Sequence, residues 1–276
     1  MIIYRMAPIA GIGIRNRAAV ETIHRAFTRP FSVTEASQEL KLSNARTRKL
    51  LSHLATGGWL SRIRRDLYSP VPLGATSPAE WRADSWIVAA TTFAPGYIGG
   101  WTACEYWHFT DQLFRDIVVV TSRRIRSRAV EIQGTRFRLK VISAKKKFGT
   151  KTVWRGSTKV EVSDPSRTIV DILNDPTIGG GIRHVAEVLG AYFESEHRDE
   201  NILLDYVERL GNRTVYKRLG YLAETLGISA PRTIQTCREK ISAGLSALDP
   251  SVRAPGKITK RWNLRVNVVI KPQTKS

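Results

Sequence analysis

Cysteine is scarce in this chain, since its 276 residues include only Cys104 and Cys237. Two cysteines so far apart make neither a disulfide framework nor a structural zinc site. The five histidines show no metal-ligand spacing either. We therefore expect two buried thiols, no metal and no cofactor, in a reducing, cytoplasmic setting.

Long apolar runs are also missing. No stretch of about 18 apolar residues is present, so the sequence predicts no transmembrane helix and no membrane partner. The apolar N-terminus, MIIYRMAPIAGIGIR, is interrupted by Arg5 and lacks the long apolar region of a signal peptide. With 42% hydrophobic residues, the chain nevertheless has enough apolar side chains and length for two globular domains.

Acidic residues are outnumbered, at 24 Asp and Glu against 44 Lys and Arg, which gives a net charge of +20. A protein this basic most often binds a polyanion, usually nucleic acid; a surface charge tuned for solubility is the alternative. The excess lies in two zones. Residues 1–77 hold 12 basic residues against 4 acidic ones, and residues 115–159 hold 14 against 2.

The first basic zone has the pattern of a helix-turn-helix. Apolar residues at helical spacing predict a helix over residues 17–29. Ser32-Val33-Thr34-Glu35 has the form of a capping box, which predicts the start of a second helix. After a turn at residues 41–43, Ser43 is a suitable cap for a third helix over residues 44–56.

The third helix is predicted to have one apolar and one cationic face. A slim, polar, positive face suits a helix that enters the major groove of DNA; a solvated face of an ordinary amphipathic helix is the alternative. The predicted buried residues are Thr47, Leu50, Leu51 and Leu54, and the predicted outward residues are Ala45, Lys49, Ser52, His53 and Thr56, flanked by Arg46 and Arg48.

A basic hairpin follows and favours the DNA interpretation. Gly57-Gly58 ends the helix, Trp59–Arg64 alternates apolar and basic residues, and the chain returns after a tip at Arg65-Asp66. Arginines on such a hairpin suit contact with a phosphate backbone. The whole pattern predicts a winged helix-turn-helix. Its predicted DNA-binding residues are Ser43, Asn44, Arg46, Arg48, Lys49, Ser52, His53, Arg62, Arg64 and Arg65.

A linker marked by Pro70, Pro72, Gly74 and Pro78 predicts two domains, a winged helix-turn-helix over residues 1–72 and a larger domain over 78–276. The expected fold class is α+β. In the second domain we expect a turn at Tyr97–Gly100, then a small, mostly antiparallel sheet from Ile117 onwards, then a helical C-terminal part. The predicted helices of that part cover residues 165–173, 182–195, 199–210, 214–227 and 231–246, with a possible last strand over 261–267.

The predicted sheet carries a second basic surface. Its cations either form another polyanion-binding surface, beside DNA or on an RNA, or are solvated strand faces that protect the sheet edges from aggregation. These residues are Arg123, Arg124, Arg126, Arg128, Arg136, Arg138, Lys140, Lys145, Lys146 and Lys147.

Enzyme motifs are not evident. No G-x-S-x-G sequence occurs. A nuclease site would need clustered carboxylates, but Asp171 is placed for an i,i+4 ion pair with Arg167, and the carboxylate-x-Lys sequence Glu39-Leu40-Lys41 falls in the helix-turn-helix. We expect no catalytic residues. A nucleic-acid-processing enzyme or an RNA-binding protein that uses the 115–159 zone is kept as the alternative.

Several short motifs stand in order along both predicted domains. In the first domain they are Asn44–Leu51, Gly58-Trp59-Leu60 and Leu67-Tyr68. In the second domain they are Tyr97–Ala103, Val162–Asp171 with its Asp-Pro-Ser-Arg-Thr, Arg218–Leu222 with Leu226-Gly227, and the closing segment from Arg261-Trp262 to Val266-Asn267. Together, over roughly residues 17–270, they resemble the motifs of the AbiEi-like antitoxins of type IV, abortive-infection toxin–antitoxin systems.

The resemblance implies two activities. The N-terminal domain would repress its own operon by binding repeats in the promoter. The C-terminal domain would counteract a nucleotidyltransferase-type toxin without a stable complex. Asp66 departs from the family pattern, which often has glycine at this tip, so an acidic residue here either weakens phosphate contact or only turns the hairpin.

Overall fold

The computed structural model describes residues 13–75 and 80–271. The apolar N-terminus discussed above lies almost entirely outside these residues, as do linker residues 76–79. Within them the chain has ten α-helices and three β-sheets, a mixed content compatible with the α+β class. It divides into two compact units. The first unit comprises the described residues up to Thr91 together with the segment Trp154–Lys159. The second unit comprises Thr92–Val153 and the chain from Val160 onwards. The domain boundary near residue 72 stays a prediction.

The first unit combines helices with a small antiparallel sheet of order β1-β3-β2. The division between the units falls just before the last residue of its final helix. Its elements are α1 (Ile14–Ala26), β1 (Phe31–Ser32), α2 (Val33–Leu40), α3 (Asn44–Thr56), β2 (Leu60–Arg64), β3 (Leu67–Pro70) and α4 (Ser85–Thr92).

One apolar cluster holds the first three helices to this sheet. Ile23 of α1, Leu51 of α3 and Leu60 of β2 are all buried in it. Helix α1 ends at Ala26, three residues before the predicted end. Phe27 has extended backbone (φ −130°), and its ring stacks on that of Phe31 with 4.4 Å between centroids. The aromatic contact thus accompanies the early end of the helix.

The second unit contains most of a larger sheet, a helical part and a small terminal sheet. Residues Trp154–Lys159, at the junction of the last two strands of the larger sheet, are the part assigned to the first unit. Two 3₁₀ helices, Ala144–Lys146 and Pro176–Gly179, lie between its main elements. These elements are β4 (Gly96–Ile98), α5 (Gly100–Tyr106), β5 (Ile117–Thr121), β6 (Ala129–Ile132), β7 (Thr135–Val141), β8 (Thr150–Arg155), β9 (Thr158–Ser163), α6 (Pro165–Asn174), α7 (Ile182–Glu194), α8 (Glu200–Leu210), α9 (Arg213–Thr225), α10 (Pro231–Lys240), β10 (Ser246–Ala247), β11 (Lys257–Thr259) and β12 (Leu264–Val266).

The larger sheet has six strands in the order β6-β7-β5-β4-β9-β8. The predicted sheet was too small, and the sheet is mixed: β5 pairs with β7 and β4 with β9 in parallel, while β4–β5 and β6–β7 are antiparallel. Two parallel neighbours are never joined by a tight hairpin and need a longer connection, so the local alternation of apolar and polar residues does not reveal their pairing. All five residues of β5 are buried, as suits a strand in the interior of a mixed sheet.

The turn predicted at Tyr97–Gly100 was also wrong. Gly96–Ile98 is a strand at the centre of the six-stranded sheet, antiparallel to β5. It has only three residues, and a Cβ at Gly96 would lie 2.7 Å from the Val120 carbonyl oxygen. This strand is defined by its pairing with both neighbouring strands. Its local sequence contains glycines, which favour a turn, and the prediction from local sequence was therefore misled.

Helix α6 lies at the centre of the helical part and contacts α5, α7, α8 and α9. Asp164 caps it and Pro165 opens it, as predicted. The last helix was predicted to reach residue 246, but α10 ends at Lys240. The chain then leads to β10, which pairs with β12 in a three-stranded sheet of order β10-β12-β11.

Candidate nucleic-acid interface

Helices α2 and α3 are positioned by the capping residues that the sequence predicted. The Ser32 hydroxyl accepts the Glu35 N–H, and the Glu35 carboxylate accepts the Ser32 N–H, which completes a capping box. Lys41 then adopts a left-handed backbone (φ 53°), so the chain turns sharply. Ser43 accepts the Arg46 N–H and caps α3. The turn therefore sets the direction of α3 relative to α2.

Helix α3 presents the two faces that its periodicity predicted. Thr47, Leu51 and Leu54 are buried, and Leu50 is half-buried. Arg46 and Lys49 are exposed and form no ion pair within the described residues. This face therefore offers free positive charge and hydrogen-bond donors to a partner.

The hairpin of β2 and β3 faces its arginines outward. Leu60 and Ile63 are both buried although they are three positions apart, because a β-bulge between Arg62 and Arg64 shifts the alternation. All ten residues predicted to bind DNA, from Ser43 to Arg65, are exposed. They lie on α3, its cap and the hairpin.

Asp66 ties the tip of the hairpin to α3. Its left-handed backbone (φ 60°) makes the turn, a conformation that Asp and Asn tolerate better than most residues. Its carboxylate accepts from Arg48 twice, Nε to Oδ1 at 2.8 Å and Nη2 to Oδ2 at 3.3 Å. The hydrogen bond from Arg48 lowers the pKa of Asp66. The acidic tip thus both turns the hairpin and holds one of the predicted DNA-binding arginines.

This role of Asp66 escaped the sequence reasoning. An acid among three arginines at a tight turn was the available signal. Its partner lies 18 residues earlier on another element, so spacing did not identify Arg48. Two side-chain hydrogens of Arg48 are used on Asp66, and three remain for a base edge or a phosphate.

The second basic surface lies in the second unit and is partly neutralised. Strand β7 places Arg136, Arg138 and Lys140 on the face opposite its buried residues. Arg138 donates Nε to Asp116 at 2.8 Å, with Arg136 3.8 Å from the same carboxylate. Lys140 pairs with Asp175.

The other predicted residues of this surface lie in two loops. Arg123, Arg124, Arg126 and Arg128 are exposed between β5 and β6, where Arg123 donates to the Thr92 carbonyl. Lys145 is exposed, while Lys146 and Lys147 are half-buried around the first 3₁₀ helix. The structure brings four of the ten together around one cavity: Arg126, Arg128, Arg138 and Lys140.

The motifs that carried the family resemblance in the second unit meet in its interior. Arg167 is fully buried and donates Nε to Asp171 at 3.0 Å, as its i,i+4 spacing predicted. Tyr97 donates to the other Asp171 oxygen at 2.8 Å and accepts from Arg167 at 3.0 Å. Burial raises the pKa values of Asp171 and Tyr97, and the positive charge of Arg167 opposes both shifts.

The last two motifs also form interior contacts. Arg218 donates to the carbonyls of Leu173, Asn174, Ala247 and Leu248. In the same helix, Gly220 lies directly against the indole ring of Trp262. The side chains of these motifs therefore pack in the interior and form internal hydrogen bonds.

The described residues offer little for metal or thiol chemistry. They contain no group of three or more His, Cys, Asp or Glu side chains that is arranged to hold a metal ion. Cys104 and Cys237 are both buried and unpaired, as predicted, and burial raises the pKa of each thiol. None of the helices in this part of the chain has the length and apolar character needed to cross a bilayer.

The chain resembles a solved structure over nearly its full length. No protein-family profile and no curated protein matches the sequence. The crystal structure of the Rv2827c protein from Mycobacterium tuberculosis is similar with a TM-score of 0.61, covering 92% of each chain at 13% sequence identity. At that identity the likeness shows the fold alone.

Proposed function

We propose that this protein is an AbiEi-like antitoxin of a type IV toxin–antitoxin system. Its first unit is a winged helix-turn-helix that binds double-stranded DNA in its own promoter, at inverted repeats, and represses the operon. Its second unit counteracts a nucleotidyltransferase-type toxin without a stable complex. It works in the cytoplasm, uses no cofactor and is not an enzyme.

One observation carries the DNA-binding half of the proposal. All ten residues expected to contact DNA are exposed, and the ion pair between Arg48 and Asp66 keeps the hairpin tip beside α3. A slim cationic helix suits the major groove, while Arg62, Arg64 and Arg65 suit the adjacent phosphates. The positive charge of Arg46 and Lys49, unpaired within the described residues, supports the same reading.

The antitoxin half rests on the family resemblance. Its motifs in the second unit come together as a buried network around Arg167 and as the Gly220–Trp262 contact, which is what shared structural motifs do. The similar fold of Rv2827c is compatible with this proposal but supplies no function. A nucleotidyltransferase gene immediately downstream of the gene for this protein would support the proposed antitoxin function without any experiment.

Two assays on the full chain test the proposal. In a gel shift at fixed salt, the chain is expected to bind the DNA upstream of its gene at least about a thousandfold more tightly than a shuffled duplex. Co-expression with the neighbouring gene product is expected to restore growth that the product alone arrests. Equal affinity for both duplexes would refute the repressor, and unrelieved growth arrest would refute the antitoxin.

The Arg48–Asp66 pair gives a sharper prediction for specificity. In Asp66→Asn, the turn survives because Asn tolerates the left-handed backbone. Arg48 loses its charged partner and one of its two hydrogen bonds, because only the amide oxygen can still accept. We expect the ratio of operator to shuffled-DNA affinity to fall roughly tenfold, the worth of one oriented arginine–base contact. Affinity for shuffled DNA is expected to hold or rise, because one negative charge is removed.

The control for this prediction is Asp205→Asn. Asp205 is an exposed i,i+4 partner of Arg209 on α8, so the charge change is the same but lies in the second unit. Both affinities should stay at the wild-type values. An unchanged affinity ratio in Asp66→Asn would show that Arg48 does not need its carboxylate partner to read DNA.

A further inference from the structure

A cavity of about 480 Å³ in the second unit is lined by four cationic side chains. Three segments surround it: the loop before β6, strand β7, and the second 3₁₀ helix with its preceding residue. Its volume lies within the range of sites for small molecules, roughly 300–1,000 Å³. The lining residues are Ile125–Arg128, Arg138–Val141, Asp175, Thr177 and Ile178.

The charges around this cavity do not balance. Arg126, Arg128, Arg138 and Lys140 line it, against the single carboxylate of Asp175. That carboxylate is already shared between Lys140 and Thr177. Burial alone would raise the pKa of Asp175, but these hydrogen bonds outweigh it and lower the pKa, so the group stays ionised.

The arginines keep donors available. Arg126 and Arg128 are exposed and form no ion pair with any described residue. Arg138 donates Nε to Asp116, and its Cζ lies 5.3 Å from the Trp101 ring centroid, so both contacts orient its guanidinium beside the cavity. Cations that line the same cavity repel one another, and an anion bound between them would offset this electrostatic repulsion.

We propose that this cavity binds an oligophosphate chain. Phosphate oxygens match the planar fork of arginine and accept two hydrogen bonds from one guanidinium. A chain of two or three phosphates carries several negative charges, enough for Arg126 and Arg128, which have no ion-pair partner among the described residues, and for the already paired Arg138 and Lys140 beside them. One carboxylate carries too little charge for this set. Such a chain is supplied either by a nucleotide or by free oligophosphate. This site is separate from the DNA-binding residues of the first unit.

The test is calorimetric titration of the full chain with inorganic triphosphate at about 0.15 M salt, where long-range surface attraction is screened. We expect the double variant Arg126→Ala/Arg128→Ala to bind triphosphate at least about tenfold more weakly, since two charge-assisted contacts are lost. The matched control is Arg124→Ala/Lys145→Ala. It removes the same charge from exposed residues of the same basic zone that do not line the cavity, and its affinity should change less than about threefold.

A third variant should improve binding, which a folding defect would not mimic. Asp175→Asn keeps an oxygen that accepts from Thr177 but removes the only carboxylate in the cavity lining. We expect triphosphate to bind several-fold more tightly. Equal loss in both double variants, or no gain in Asp175→Asn, would overturn the site in favour of a diffuse basic surface.

Titrations with ATP, adenosine and a DNA duplex identify the source of the phosphates and test whether nucleic acid occupies the cavity instead. Tighter binding of ATP than of triphosphate would assign a nucleotide, and equal binding would assign free oligophosphate; adenosine should not bind. If a shuffled DNA duplex displaces triphosphate, and Arg126→Ala/Arg128→Ala weakens duplex binding as much as triphosphate binding, the cavity is part of a nucleic-acid surface and the proposal fails.

Discussion

The chain carrying Arg46→Ala, Arg48→Ala and Lys49→Ala is expected to bind its promoter DNA between about 10²- and 10⁴-fold more weakly than wild type. Each lost contact to a base or phosphate is worth about 1–3 kcal/mol, and contributions from neighbouring residues are not fully additive. All three side chains are exposed on α3, so the fold should survive. Gel shifts across a salt series measure the loss. The slope of log affinity against log salt concentration should become shallower by the equivalent of roughly two to three phosphate contacts.

The matched control removes three positive charges elsewhere. Arg232, Arg238 and Arg253 are exposed residues of the second unit, and none of them forms an ion pair within the described residues. Their alanine variant tests whether net charge alone explains binding, and its promoter affinity should change less than about tenfold. Equal loss in both triple variants would remove α3 from its proposed role. In the co-expression assay the α3 variant should still relieve growth arrest, because the proposed neutralising function lies in the other unit.

Gly220→Ala is expected to destabilise the second unit by at least about 3 kcal/mol, the upper end of the range for overpacked cores. A Cβ at this position would overlap the Cζ3 and Cη2 atoms of Trp262, and that indole is only 1% exposed. Its Nε1 also donates to Glu224 at 2.7 Å, so the ring has little freedom to move away. Thermal unfolding should show a midpoint lowered by about 10 °C for a unit of this size.

Gly244→Ala is the control, because nothing lies within 4 Å of a Cβ added there. Its stability should stay within about 0.5 kcal/mol of wild type. The double variant Gly220→Ala/Trp262→Phe removes the outer ring atoms that the new methyl group meets. Its loss of unfolding free energy should therefore be smaller than the sum of the losses in the two single variants. A wild-type melting point for Gly220→Ala would contradict the described packing of α9 against Trp262.

Much of the first unit was predictable because its signals are local. The capping box at Ser32 and the cap at Ser43 act within one turn of helix, and both are present as predicted. The faces of α3 follow from helical periodicity alone. In the hairpin, Leu60 and Ile63 are both buried, and the bulge between Arg62 and Arg64 explains how they share a face.

The second unit was less predictable because its sheet depends on distant pairing. Strand β4 is three residues long and exists because β5 and β9 flank it. The parallel pair of β5 and β7 leaves no short-range pattern that distinguishes it from an antiparallel pair. The end of α10 at Lys240 is likewise followed by a strand, β10, whose partner residues in β12 lie 18 positions further along the chain.

The sequence by itself determined the charge distribution, the scarcity of reactive cysteine, the helix caps and the faces of α3, because each depends on composition or on residues within one or two turns. Tertiary structure alone decided which charges meet: Asp66 with Arg48, and four cations with one carboxylate around a single cavity. It also decided the sign of one substitution. Helix propensity favours alanine over glycine by about 1 kcal/mol, yet the contact of Gly220 with Trp262 reverses that preference, because two atoms from distant segments cannot occupy the same space.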